Sequence, residues 1–193
     1  MSCCGQAEQT SDLTVANAPV KVQEFIDGDL AKCEYPAGQF EGRGIVINAG
    51  KPKYAVGAYV LIRMLRQLGC TLPIEVWYLG ERERNRAWEE LVGPLDVRCV
   101  DAHEVRKQHP HARLNGFESK PYAIQWSRFA EVLYLDADNV PVRDPTFLFD
   151  TPQYGQCGAI FWPDYGRLSP ERAAWRIFGN IPYRDEPEVE SGQ

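Results

Sequence analysis

Short apolar runs alternating with amphipathic stretches over residues 44–138 constrain this chain more than any other feature. Gly44–Asn48 reads GIVIN, a β-branched run between glycines that suits a buried strand. In the following KPKYAVGAYVLIRMLRQLG, Leu61, Met64, Leu65 and Leu68 fall at i, i+3, i+4 and i+7. Arg63, Arg66 and Gln67 lie off that stripe, so the pattern predicts a helix packed on a sheet and stopped at Gly69. IEVWYLG (Ile74–Gly80) predicts a second strand, ERERNRAWEELV a charged surface helix, and DVRCVDA a third strand. FESKPYAIQWSRF predicts the next helix, with Pro121 tolerated near its start, and EVLYLDAD a further strand. This rhythm predicts an α/β fold with a mostly parallel central sheet. Ligands of such sheets bind beyond the carboxyl ends of the strands.

Residues 1–40 are polar and interrupted, which predicts a loosely structured N-terminal arm with one short helix near Val20–Leu30. Residues 41–193 then form a single domain, since 193 residues suffice for one core and are few for two. The formal net charge of −6 disfavours nucleic acid as a partner, because a phosphate backbone calls for a broad basic surface. A small anionic ligand remains compatible if a local cation or metal offsets the repulsion. Six scattered cysteines show no zinc-site spacing and read as reduced thiols. No run approaches the length of a membrane span, so the chain as it stands is expected to be cytoplasmic.

The candidate chemistry lies in FAEVLYLDADNVPVRDP (Phe129–Pro145), where an apolar run ends in Asp136 and Asp138. Residues i and i+2 of a strand share a side, so the two carboxylates converge if strand geometry persists. Such a pair repels itself unless a cation lies near, and Mg²⁺ or Mn²⁺ with phosphate oxygens suits it. An acidic Asp-Asn-Val-Pro turn accounts for the same residues without a ligand. The string also fits the DxDx(T/V) motif of haloacid-dehalogenase-like phosphatases, with Asp136 as nucleophile. That chemistry needs a downstream lysine, and none follows Lys120. GIVINAGKP fails as a P-loop: Gly44 to Gly50 is one residue too long, and Pro52 stands where Ser or Thr would hold Mg²⁺. The absence of GxGxxG removes the case for a dinucleotide site. His103, His109 and His111 have no ligand spacing and are expected in a surface loop.

Taken in order, YPAGQFEGRGIVINAG, AYVLIRMLRQLGCTLPIEVWYLG, SKPYAIQWSRFAEVLYLDADNVPVRDPTFLF, FWPDY and the terminal ESGQ resemble a mannosyltransferase family. It includes fungal α-1,3-mannosyltransferases of protein glycan outer chains and related bacterial proteins, and the likeness covers about residues 35–193. The resemblance implies a GT-A fold whose DxD motif holds a divalent metal, Mn²⁺ or Mg²⁺, on the diphosphate of a sugar nucleotide. Asp138 would then coordinate the metal, with Asp136 helping through the ribose or a metal-bound water. The implied reaction moves a hexose, mannose from GDP-mannose before a UDP-sugar, to a carbohydrate hydroxyl with retention of configuration. A nucleotide-sugar binding module without turnover is the alternative of another class.

By the same resemblance Asn48, Ala49 and Gly50 would meet the base or ribose, Tyr54 would stack, and Lys120 would reach a phosphate. Trp162, Asp164 and Tyr165 suit a sugar site, whereas Phe161 is expected in the core. Glu190, as a catalytic carboxylate, or Gln193 would face the sugar. The family's fold continues past ESGQ, so the chain is expected to be a fragment or a C-terminally truncated member. A fragment of a membrane-anchored protein would belong to the Golgi lumen instead.

Overall fold

The computed structural model describes residues 12–28, 38–111, 114–167, 169–172, 174–177, 182–183 and 187–189. It divides into two compact units, one of residues 1–35 with 163–189 and one of residues 36–162 with 190–193. The sequence reading placed one boundary at residue 40; these units divide at 35/36, 162/163 and 189/190.

The first unit holds helix α1 (Asp12–Asp27), which begins earlier than the helix expected near Val20 and contains Pro19. The larger unit opens with strand β1 (Arg43–Asn48), which runs into helix α2 (Pro52–Gln67). Pro52 suits the start of α2, where a missing N–H costs nothing. Gly69 ends the helical segment at φ 88°, a left-handed conformation that a Cβ would strain. Strand β2 (Ile74–Tyr78), helix α3 (Arg86–Val92) and strand β3 (Val97–Asp101) follow. Helix α4 (Ala102–Gln108) comes next, then α5 (Ser119–Trp126) and strand β4 (Glu131–Tyr134). Helix α6 (Pro152–Cys157) closes this unit's regular structure. Strand β5 (Pro163–Arg167), helix α7 (Ala174–Ile177) and strand β6 (Pro187–Val189) belong to the first unit, where β5 and β6 pair antiparallel.

The four strands of the larger unit form a parallel sheet in the order β3-β2-β1-β4. From β1 the chain steps outward through β2 to β3, then returns to the other side of β1 as β4. Right-handed crossovers in opposite directions place their helices on opposite faces. Accordingly Ala58, Leu61, Ile62 and Leu65 of α2, with Val92 of α3, pack against Ile45, Ile47, Ile74, Val76 and Leu133 on one face. Tyr122 and Ala123 of α5, with Ala102 of α4, cover Val46, Trp77 and Tyr134 on the other. Each fully buried Leu or Ile contributes about 1.5–3 kcal/mol, so the two apolar faces fix the register of every strand.

Two expectations need correction. His103 lies in α4 rather than in a loop, whereas His109, just past the end of that helix, and His111 lie outside regular structure as expected. His109 stacks on Trp126 with ring centroids 3.6 Å apart. Phe161 is 66% exposed rather than core. It follows no strand: α6 ends at Gly158 and the chain runs irregularly to β5, so no sheet face draws the ring inward.

Candidate functional site

The reversal between β1 and β4 creates a switch point, where a cleft opens at the carboxyl ends of a parallel sheet. A cavity of about 420 Å³ lies there. It gathers the β1–α2 turn (Asn48, Ala49, Gly50), Tyr54, Lys120, Asp136 and Asp138, residues spread over ninety positions of sequence.

Each is placed by local chemistry. The Ala49 N–H donates to the Trp77 carbonyl at 3.0 Å and prolongs the β1–β2 pairing by one residue. Asn48 Nδ2 donates to Ser119 Oγ at 2.8 Å, tying the end of β1 to the start of α5. Asn48 Oδ1 is buried without a hydrogen-bond partner among the described residues. Gly50 has no room for a Cβ, which would meet the Glu83 carboxylate and stand 2.7 Å from Tyr78 Cβ. Tyr54, in the first turn of α2, is 43% exposed, and the N-terminal end of that helix, with Lys51, turns partial positive charge towards the cavity.

β4 ends at Tyr134, two residues before Asp136, so strand alternation does not carry the pair. A turn does: the Asn139 N–H donates to the Asp136 carbonyl at 3.0 Å, and the Asp136 N–H donates to Asn139 Oδ1 at 2.7 Å. Asp136 therefore stays on the α5 side, where Lys120 Nζ lies 2.7 Å from Oδ1 and 2.9 Å from Oδ2. Tyr134 donates its hydroxyl to Oδ1 at 3.4 Å. Burial, and then the charge of Asp136, pushes the Tyr134 hydroxyl well above its ordinary pKa, so it remains a neutral donor. Asp138 stands exposed in the turn, and no described residue pairs with it. Helix α2 supports the turn from beneath: a Cβ on Gly57 would stand 2.6 Å from the Ala137 carbonyl oxygen.

This donor set fits a hard divalent ion. Asp138 offers an unpaired carboxylate on the cavity, whereas Asp136 is neutralised by Lys120 and better placed behind it. No group of three His, Cys, Asp or Glu side chains converges among the described residues. One or two carboxylates, with phosphate oxygens and water filling the octahedron, are what Mg²⁺ ordinarily takes from a protein.

The remaining expected residues are not gathered here. Trp162 is 36% exposed and does not line the cavity. Asp164 and Tyr165 lie on β5 of the other unit, where their side chains are outside the description. Glu190 and Gln193 fall outside the described residues. Sequence reasoning missed Tyr78, Glu83, Phe117 and Ser119, which line the same cavity. The signal for Tyr78 and Glu83 was their place at and beyond the carboxyl end of β2, where the carboxyl-end rule applies as much as it does to β1 and β4.

A parallel α/β unit with a cleft of mixed aromatic and charged side chains at its switch point defines a ligand-binding class of domain. Comparison places it more narrowly: residues 42–193 match the family model described as "Mannosyltransferase putative", and the chain belongs to that family. Similar proteins include Alpha-1,2-mannosyltransferase MNN5 of Saccharomyces cerevisiae, 31% identical over 73% of this chain and 25% of the yeast protein. MNN21 of Candida albicans is 34% identical over 79% of this chain and 24% of its own length. MNN2 of S. cerevisiae is 27% identical over 86% of this chain and 28% of its own. These relatives are named for α-1,2 linkages, where the sequence resemblance cited α-1,3 members. The chain spans about a quarter of their length. Among the described residues no helix is long and apolar enough to cross a membrane.

Proposed function

We propose that this chain carries the donor site of a GT-A-type mannosyltransferase that moves mannose from GDP-mannose to a carbohydrate hydroxyl with retention of configuration. The observation that carries the reading is one cavity joining the β1–α2 turn, Lys120 and the Asp136–Asp138 turn, in a chain of the mannosyltransferase family. In this reading the β1–α2 turn and Tyr54 hold the nucleoside. The N-terminal end of α2 and Lys51 face the diphosphate. Mn²⁺ or Mg²⁺ held at Asp138 supplies electrostatic relief for the diphosphate leaving group. Asp136, fixed by Lys120 and Tyr134, orients the ribose or a metal-bound water. Trp162, Asp164, Tyr165, Glu190 and Gln193 are the candidates for the sugar and acceptor side. Family membership displaces the phosphatase reading of the same aspartates.

Calorimetric titration of GDP-mannose, UDP-glucose, GDP and UDP, with Mn²⁺ and with EDTA, tests this on wild type and Asp138→Asn. Metal-dependent binding that the substitution abolishes is expected. Mannose transfer from GDP-mannose to a mannoside then separates a transferase from a binding module. A folded protein that binds no nucleoside diphosphate overturns the proposal.

A further inference from the structure

The cavity has a second pole that these roles leave unassigned. β2 ends at Tyr78, Gly80 turns the chain at φ 73°, and Glu83 comes back over the β1–α2 turn. Its half-buried carboxylate lies against Gly50, and Oε2 accepts the Leu79 N–H at 2.9 Å. That bond fixes the side chain in the cavity wall. Among the described residues it makes no ion pair, and the neighbouring Arg84 is committed to Glu81 at 3.0 Å and Glu89 at 3.1 Å. Glu83 thus presents a fixed acceptor beside the turn proposed to hold the nucleoside.

Glu83 lies against the β1–α2 turn, whereas the aspartates follow β4. Among the described residues it joins no acidic group with Asp136 and Asp138 that could hold a metal ion. A ligand whose diphosphate lies at Asp138 and whose nucleoside lies on the β1–α2 turn therefore brings its base, rather than its phosphates, to Glu83.

We infer that Glu83 is the specificity-determining residue that reads the base, and that the base it selects is guanine. The inference rests on the donor site proposed above. An ionised carboxylate only accepts hydrogen bonds. Guanine offers two adjacent donors on its Watson–Crick edge, N1–H and the 2-amino group, which one carboxylate accepts together. Uracil offers one N–H between two carbonyl oxygens, and those oxygens would face the carboxylate's lone pairs. Adenine and cytosine each set a single donor group beside an acceptor nitrogen. Discrimination comes from repulsion of the wrong base as much as from attraction of the right one.

The test is titration of GDP, IDP, 1-methyl-GDP and UDP against wild type and Glu83→Gln in the presence of Mn²⁺, with circular dichroism to show that the variant is folded. IDP lacks the 2-amino donor and 1-methyl-GDP lacks the N1 donor. Wild type is expected to bind GDP about tenfold or more tighter than either analogue, and tighter again than UDP. Glu83→Gln is expected to lower GDP affinity by about the same factor and to tighten UDP, because the amide removes the repulsion of uracil's oxygens. An equal loss for GDP and UDP would reduce Glu83 to a structural tie for Leu79 and overturn the inference. So would wild-type binding that ignores the analogues, a comparison that needs no variant to fold. Either result leaves the donor site standing, whereas failure of wild type to bind any of the four removes that site and the inference with it.

Discussion

Glu75 shows at the scale of one residue how a charge is kept in this core. It is 1% exposed on β2, where Trp77 Nε1 donates to Oε2 at 3.0 Å. Arg98 and Arg128 approach Oε1 at 3.6 and 3.7 Å. Burial raises its carboxyl above the ordinary range, and these partners only partly offset that. A raised folded pKa means that the native state binds more protons than the unfolded one between the ordinary value and the raised one. Stability therefore falls as pH rises through that window and stays at the lower level above it. Glu75→Gln removes the charge and retains an acceptor for Trp77, while the half-exposed arginines return to water. The variant is expected to melt higher than wild type at mildly alkaline pH, with the advantage shrinking as pH falls into the carboxylate range. Parallel melting curves that keep a constant gap would show that desolvation of this carboxylate is not what matters.

At the scale of elements, α2 and the β4 turn form one device. Gly57 lies inside α2, where exchange to alanine ordinarily gains up to about 1 kcal/mol. Here the added methyl would stand 2.6 Å from the Ala137 carbonyl, and overpacking of this kind costs about 1–3 kcal/mol. Gly57→Ala is expected to lower stability in denaturant unfolding and to weaken metal-dependent nucleotide binding, because relief of the clash shifts the turn that carries Asp136 and Asp138. Gly155→Ala in α6 meets open space and serves as the control, with a small gain and unchanged binding. If both variants behave alike, the turn does not depend on α2.

Periodicity made most of these elements legible. β1, α2, β2, β3 and β4 each bury a face, and the apolar spacing records it. Helix α4 escaped because it is short, and because Pro110 and three histidines obscure its stripe. Its start was nonetheless written as Asp101-Ala-His-Glu104, a capping-box pattern, and Asp101 Oδ1 does accept the His103 N–H at 2.8 Å. The site was legible where it coincides with strand ends, as at Asn48–Gly50 and Asp136. The Lys120–Asp136 pair and the packing of Glu83 on Gly50 join segments distant in sequence, and no local pattern encodes such pairs.

At the scale of the whole molecule, the donor cavity and most of the residues proposed for the acceptor occupy different stretches of the chain. All four sheet strands, both apolar faces and every residue of the cavity fall within 36–162. Asp164, Tyr165, Glu190 and Gln193, proposed for the sugar and acceptor, lie beyond residue 162. Donor binding and transfer should therefore come apart on shortening the chain. A protein of residues 36–162 keeps its parallel sheet closed on both faces. It is expected to unfold cooperatively and to bind GDP with Mn²⁺ within about threefold of the full chain, a difference of under 1 kcal/mol. Mannose transfer is expected to be lost. Calorimetry and a transfer assay on the two proteins side by side decide it. A shortened protein that folds but no longer binds GDP would show that residues 163–193 complete the donor site, and would move the proposed acceptor residues to the donor side of the reaction.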